Sequence, residues 1–263
     1  MHRLIRGVGA ILLFVVTGYL VVLGGLFLLQ RSLLFPNVPA EPFLDLSGAE
    51  RVQLVLPSWG TVPMDLSGPP AAPLVVFFHG NGEQIGQTRG DAAEAEAAGL
   101  RFAAVEYPGY GDAEGLPSEV SIFAAARAGL EHLARNGEGR PTCVGHSLGS
   151  GVAFAMSAEG RCARLVAISA YTSIVEMAAR RFPWAPARWL VRDRFDSLSR
   201  AQTITVPTLL IHGRKDGLIP YEMSETLAAA IPNARLVERN RGHNDIRDQQ
   251  TWAEVARFVG VGP

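Results

Sequence analysis

The nine residues Cys143 to Gly151, CVGHSLGSG, constrain this chain more than any other stretch. They read as the end of a buried strand, a one-residue turn and the start of a helix. Pro141 to Val144 is short and apolar and supplies the strand, and Ser147 to Met156 supplies the helix. Gly145 and Gly149 flank Ser147 two positions to either side, the G-x-S-x-G nucleophile elbow. The spacing has a steric cause: the serine takes strained backbone angles, and side chains two residues away would collide. Such a turn lifts the serine hydroxyl to the carboxyl edge of a sheet. A helix N-cap serine in a glycine-rich turn fits the same local residues, so the rest of the chain must decide.

Its pattern agrees with the elbow. Glu50–Leu56 and Val62–Leu66 read as opening strands, and Leu74–Phe78 is apolar on both faces, as a central parallel strand must be. A helix is predicted over Gln84–Ala98, a strand over Phe102–Glu106 and a helix over Ser118–Arg135. After the elbow helix come strand Arg164–Ser169, strand Thr208–His212, helix Tyr221–Ala230, strand Arg235–Glu238 and helix Asp248–Val259. This alternation predicts an α/β fold, a mainly parallel sheet with helices on both faces. Ligands in such sheets bind outside the carboxyl ends of the strands.

Three of those ends carry chemistry. His79-Gly80-Asn81-Gly82-Glu83 follows the third strand, where the Asn81 N–H, with the Leu148 N–H of the elbow, is placed to bind an oxyanion. His79 itself is expected to pack rather than transfer protons. Asp216 follows strand Thr208–His212 and His243 follows the last strand. The order Ser147, Asp216, His243 is that of an α/β-hydrolase nucleophile, acid and base. Asp196 and Asp245 are alternative acids, and Glu83, Asp112 and Glu114 are expected to be solvated rim. Spacings for a metal site or a dinucleotide are missing, so no cofactor is expected. With a net charge of −1 over 263 residues, the chain has no basic excess for nucleic acid.

The first residues form a separate unit. Arg3 and Arg6 precede a run from Gly7 to Leu29 without a charged residue. As a helix it spans roughly 34 Å, enough to cross a hydrocarbon core of ~30 Å. A cleaved signal peptide is the rival, but its apolar region is shorter and ends at a small-x-small site. Residues 1–31 are therefore read as a membrane anchor. The positive-inside rule puts the amino terminus in the cytoplasm and the domain on the translocated side, periplasmic in a bacterium. Residues 32–49, with Pro36, Pro39 and Pro42, read as a stiff tether to a domain at 50–263. Cys143 and Cys162 are expected to be small buried apolar residues rather than a disulfide. Residues 172–206 read as a short cap, whose Phe182, Trp184, Trp189 and Phe195 are interleaved with arginines. That composition suits a membrane–water interface or an acyl-chain entrance, and equally an ordinary cap packed on the sheet edge.

The stretch Val105 to Ser118, VEYPGYGDAEGLPS, resembles the Y-x-G-Y-G-x-S-x-G-x-P-S-E loop of the Bem46-like and ABHD-like α/β hydrolases. His79 to Gly82, Gly145 to Gly149, Arg192 to Ser197, His212 to Pro220 and Gly242 to Asp245 are similar to that group as well. The departures are Gly82 for a usual Ala, Asp112 for a usual Ser, and His146 for a usual Arg or Gln. The resemblance implies an α/β-hydrolase fold and a serine hydrolase of esters or thioesters, often lipid-linked. It leaves the substrate open. A peptidase or amidase of the same fold, and a catalytically silent membrane-tethered binding module, stay as alternatives.

Overall fold

A computed structural model describes residues 2–36, 39 and 49–261, with side chains in the first helix from Arg6 onward. Most of the predicted tether lies outside the described residues.

The chain opens with helix α1 (His2–Leu34), whose segment Arg6–Leu34 is a candidate membrane span by length and composition. The domain then builds one eight-stranded sheet: β1 (Glu50–Leu56), β2 (Gly60–Ser67), β3 (Leu74–Phe78), β4 (Arg101–Val105), β5 (Thr142–His146), β6 (Arg164–Ile168), β7 (Thr208–Gly213) and β8 (Ala234–Arg239). Its spatial order is β1-β2-β4-β3-β5-β6-β7-β8. The first two strands pair antiparallel at one edge, β2 with β4 as well, and all other pairings are parallel. Parallel strands need crossovers, which helices supply: α2 (Arg89–Ala97), α3 (Glu119–Arg135), α4 (Leu148–Ala158), α5 (Ile174–Arg181), α6 (Ala187–Leu190), α7 (Ser197–Ala201) and α8 (Tyr221–Ala230), while α9 (Gln249–Val259) follows the last strand. This is the α/β-hydrolase fold that the sequence predicts.

Side-chain alternation splits the core between the two faces. Along β3, Val76 and Phe78 join the cluster under α3, α4 and α8, while Val75 and Phe77 join the cluster with Trp252 of α9. Both faces being covered explains why β3, β5 and β7 are buried almost throughout. The helix predicted over Gln84–Ala98 divides into a 3₁₀ turn at Ile85–Thr88 and α2. Gln84 caps that turn, and the Thr88 hydroxyl donates back to the Ile85 carbonyl at 2.8 Å.

Two departures concern the frame. Cys143 and Cys162 form a disulfide, contrary to the expectation of two unpaired apolar residues. Cys143 lies in β5, and Cys162 lies in the turn between α4 and the neighbouring strand β6, which brings their Cα atoms to 5.7 Å. Helix α1, the candidate span, in turn packs on the domain at its carboxyl end. Its apolar stripe continues to Leu34, and Phe35 is 5% exposed within the main core cluster, its ring 6.3 Å from that of Phe195.

Candidate active site

The sheet reverses its winding between β3 and β5, and the crevice above their carboxyl ends is where such folds bind ligands. Ser147 stands there, between β5 and α4, with φ 52° and ψ −121°. That conformation is rare for a residue with a side chain, and among the described residues only Ser169 and Phe195 share positive φ without being glycine. A Cβ on Gly145 would strike the Gly149 carbonyl, and one on Gly149 would strike the carbonyls of Phe78 and His79. The two glycines therefore answer to close backbone approach, which the tight turn imposes.

The structure brings together the three residues that the sequence places far apart. His243 Nε2 lies 3.0 Å from Ser147 Oγ, and His243 Nδ1 lies 2.8 Å from Asp216 Oδ2. The other carboxylate oxygen, Asp216 Oδ1, accepts the N–H groups of Leu218 at 2.9 Å and Ile219 at 2.8 Å. Burial alone would raise the Asp216 carboxyl; contacts with His212 and His243 and the Ile219 N–H hold it well below the usual carboxylate range. An ionised carboxylate can only accept, so Nδ1 of His243 carries the proton and the Nε2 lone pair faces the serine hydroxyl. The alternative acids are engaged elsewhere. Asp196 caps α7 through the Ser199 N–H, and Asp245 accepts the Gly242 N–H at 2.7 Å.

The Asn81 and Leu148 backbone N–H groups have no hydrogen-bond partner among the described residues, and both residues line the cavity next to Ser147. The loop that carries Asn81 is anchored from below by a buried network. His79 Nε2 lies 2.9 Å from Glu106 Oε1, and its ring packs on Tyr107 at 4.0 Å between centroids. The Tyr107 hydroxyl donates to the His79 carbonyl at 2.8 Å, and Glu106 accepts the N–H groups of Ile85 and Tyr107. Burial would lower the His79 pKa, but the Glu106 carboxylate outweighs it and raises it. His79 is wholly enclosed and away from solvent, a packing residue.

Three polar residues around the site were not legible as such. Glu83, expected on the rim, is largely buried, accepts the Gly80 N–H at 2.9 Å and pairs with Arg247. Arg247 also pairs with Asp91 at 2.8 Å. Burial pushes the Asp91 carboxyl up to about 6 despite that partner. His146 donates from Nε2 to the His243 carbonyl at 3.0 Å, while burial and the nearby Arg247 charge push its pKa down to about 3. Of the other expected rim residues, Asp112 pairs with Arg51 and Glu114 accepts the Thr61 N–H.

An apolar cavity of about 640 Å³ leads away from Ser147 under the cap, bordered by Leu148, Ile174, Met177 and Leu190. The four cap aromatics divide, with Phe182 half-buried on the cavity. Phe195 is fully buried against Phe123 and Phe35, whereas Trp184 and Trp189 are exposed.

Comparison with known proteins agrees with the architecture. The family model of the alpha/beta hydrolase fold matches residues 73–194, and that of the TAP-like proteins matches residues 176–259. An uncharacterised protein of Mycobacterium tuberculosis is 34% identical over 180 residues, which cover 66% of this chain and 64% of that protein. The chain thus spans just under two thirds of the length of that relative. The alpha/beta hydrolase domain-containing protein aho-3 of Caenorhabditis elegans is 28% identical over 195 residues, covering 70% of this chain and 56% of that one. Among solved structures, the esterase Pf2001 of Pyrococcus furiosus superposes with a TM-score of 0.69 at 17% identity, covering 86% of this chain and 96% of the esterase. The thioesterase domain from the curacin biosynthetic pathway superposes at 0.61 and 17% identity, covering 81% and 99%. Sheet order, elbow and matched family models together show that this chain has the α/β-hydrolase fold.

Proposed function

We propose that this protein is a membrane-anchored serine hydrolase that cleaves carboxylic ester or thioester bonds of acyl substrates through an acyl-serine intermediate. The observation that carries the reading is the relay Asp216–His243–Ser147 at the floor of an apolar cavity, beside two unengaged N–H groups. In this mechanism His243 Nε2 takes the Ser147 proton as Oγ attacks the acyl carbonyl. Asp216 holds the tautomer and offsets the charge that forms on the imidazole. The Asn81 and Leu148 N–H groups stabilise the oxyanion, and the start of α4 points its positive end at the same place. His243 then returns the proton to the leaving oxygen or sulfur. Water activated by the same imidazole releases the acid and restores Ser147. The apolar lining favours an acyl group on the carbonyl side of the bond.

The anchor reading places α1 across a bilayer and the domain on the translocated side. The Cys143–Cys162 disulfide supports that side, because disulfides persist in oxidising compartments.

A fluorophosphonate probe and a series of esters and acyl thioesters test the assignment. Wild-type protein labels at Ser147 and turns over. Ser147→Ala keeps its fold, does not label, and loses on the order of 10⁴–10⁶ in kcat. Equal labelling of the two proteins would refute it.

A further inference from the structure

The anchor helix does more than leave the domain. Leu26, Gln30, Leu33 and Leu34 of α1 line the same cavity as Ser147. Their spacing of four, three and one residues puts them on one face of the helix. That face is fastened to the cap at several levels. The Tyr19 hydroxyl donates to the Trp184 carbonyl at 3.0 Å, and the Gln30 amide exchanges hydrogen bonds with the Leu190 carbonyl and the Arg192 N–H. Arg31 makes a two-pronged ion pair with Asp193 at 2.8 and 3.2 Å. At its end the Leu34 carbonyl accepts from the Asn81 side chain, on the loop whose N–H faces the reacting carbonyl.

The depth of the helix in a bilayer follows from its burial. Every residue from Arg6 to Val22 is exposed, Tyr19 touching the domain at Trp184, and partial burial against the domain begins at Leu23. Gly7 to Val22 is 16 residues and rises about 24 Å, short of a hydrocarbon core of ~30 Å. The core must therefore extend about one more turn, to the level of Leu26. That brings the cap edge into the membrane interface: Trp184, held beside Tyr19, reaches about two turns below the level of Leu26, and Trp189 stands 79% exposed. Tryptophan at such a level is the usual interfacial anchor.

We infer that α1 is itself a wall of the acyl-binding site, so that the anchor selects the acyl chain and admits it from the bilayer surface to Ser147. The inference rests on the serine-hydrolase reading and deepens it: the substrate is a membrane-resident acyl ester or thioester whose chain lies along the Leu26–Leu34 face. The occupant is set by the cavity's two ends. One end is Ser147 with the Asn81 and Leu148 N–H groups, which take a carbonyl, and the other is an apolar helix face continuous with a membrane span. A water-soluble peptide matches neither the lining nor the level of that opening.

The test uses full-length protein in phosphatidylcholine nanodiscs, with acetyl, octanoyl and palmitoyl esters of p-nitrophenol. Rates are expressed per site titrated by a short-chain fluorophosphonate. Leu26→Trp fills the far end of the cavity and should lower the palmitoyl-to-acetyl ratio of kcat/KM by tenfold or more. Leu26→Ala, which cannot clash, should change the same ratio severalfold. Phe14→Trp, 80% exposed on the lipid-facing part of α1, should leave it unchanged. As a second measurement, a long-chain alkyl fluorophosphonate bearing a terminal diazirine should, after reaction and irradiation, cross-link to peptides containing Leu23 to Leu34. Unchanged ratios in both Leu26 variants, with cross-links confined to α5 and α6, would overturn the inference while leaving the serine chemistry standing. Absence of any titratable site in the wild type would instead overturn the underlying reading.

Discussion

Asp216 and His146 act on His243 from opposite directions, one through its ring and one through its backbone. Asp216→Asn keeps the shape but can present its amide to Nδ1, which shifts the imidazole proton to Nε2 and removes the lone pair that faces Ser147. The expected loss is about 10⁴ in kcat with KM little changed, as for the equivalent acid in other triads; damage from Asp196→Asn instead would assign the acid wrongly. His146→Leu removes the donor to the His243 carbonyl and should lower kcat roughly tenfold without altering KM, while His146→Gln, which can donate to the same carbonyl, should restore most of it. Steady-state kinetics on one soluble ester separates these outcomes. The meeting of Ser147, His243 and Asp216 was legible because each follows a recognisable strand in a fixed chain order. His146, Glu83 and Arg247 were not, because their partners lie 97 and 164 residues away and no local spacing announces them. Glu83 in particular has the composition of a solvated turn, and only the approach of α9's leading loop buries it.

At the level of elements, two ties hold the strands that carry the site. The Cys143–Cys162 disulfide closes a separation of 19 residues around α4, which in the chain-entropy account is worth about 3 kcal/mol. Reduction, or the double change to alanine, should lower the melting temperature by roughly 6–12 °C for a domain of this size. Calorimetry with and without reductant reads this directly, and an unchanged midpoint would remove the disulfide from the account. The second tie is the His79–Glu106 pair beneath the Asn81 loop. The folded His79 pKa is raised above its unfolded value near 6.5, so the folded state holds the extra proton. Its stabilisation is therefore full below about pH 6.5 and is lost as pH rises through the folded pKa. Urea midpoints should fall as pH rises above about 6.5, and Glu106→Gln should flatten that fall while lowering stability at every pH. The strands themselves were readable to within a residue or two, since their apolar runs alternate with helical patterns. The pairing of the cysteines was not, because two cysteines 19 apart specify a bond only when β5 and β6 are known to be neighbours.

For the whole molecule, the point at issue is where the candidate span ends. Composition places that end near Leu29, the last residue before polar Gln30 and charged Arg31, and the proline-containing stretch beyond suggests a separable domain. Hydropathy cannot show that Gln30 and Arg31 are polar because they bind the cap rather than because they meet water. The two readings diverge on truncation. Deletion of residues 1–22 removes exposed helix and the solvent-exposed Tyr19–Trp184 contact, and should give a domain that melts near the full-length protein. Deletion of residues 1–31 takes away Gln30, which bonds both Leu190 and Arg192, and leaves Asp193, whose side chain is 5% exposed, with the Glu119 N–H as its remaining donor. A buried carboxylate that loses its cation is costly, although Arg31 is half exposed and part of the loss is screened. A net cost of about 1–3 kcal/mol corresponds to roughly 2–12 °C in melting temperature. The same deletion removes the Leu26 and Gln30 portion of the cavity wall, so turnover of long-chain esters in micelles should fall further than turnover of acetate esters. Equal melting temperatures for the two truncations would show that α1 is a detachable anchor after all, held to the cap by contacts too weak to register.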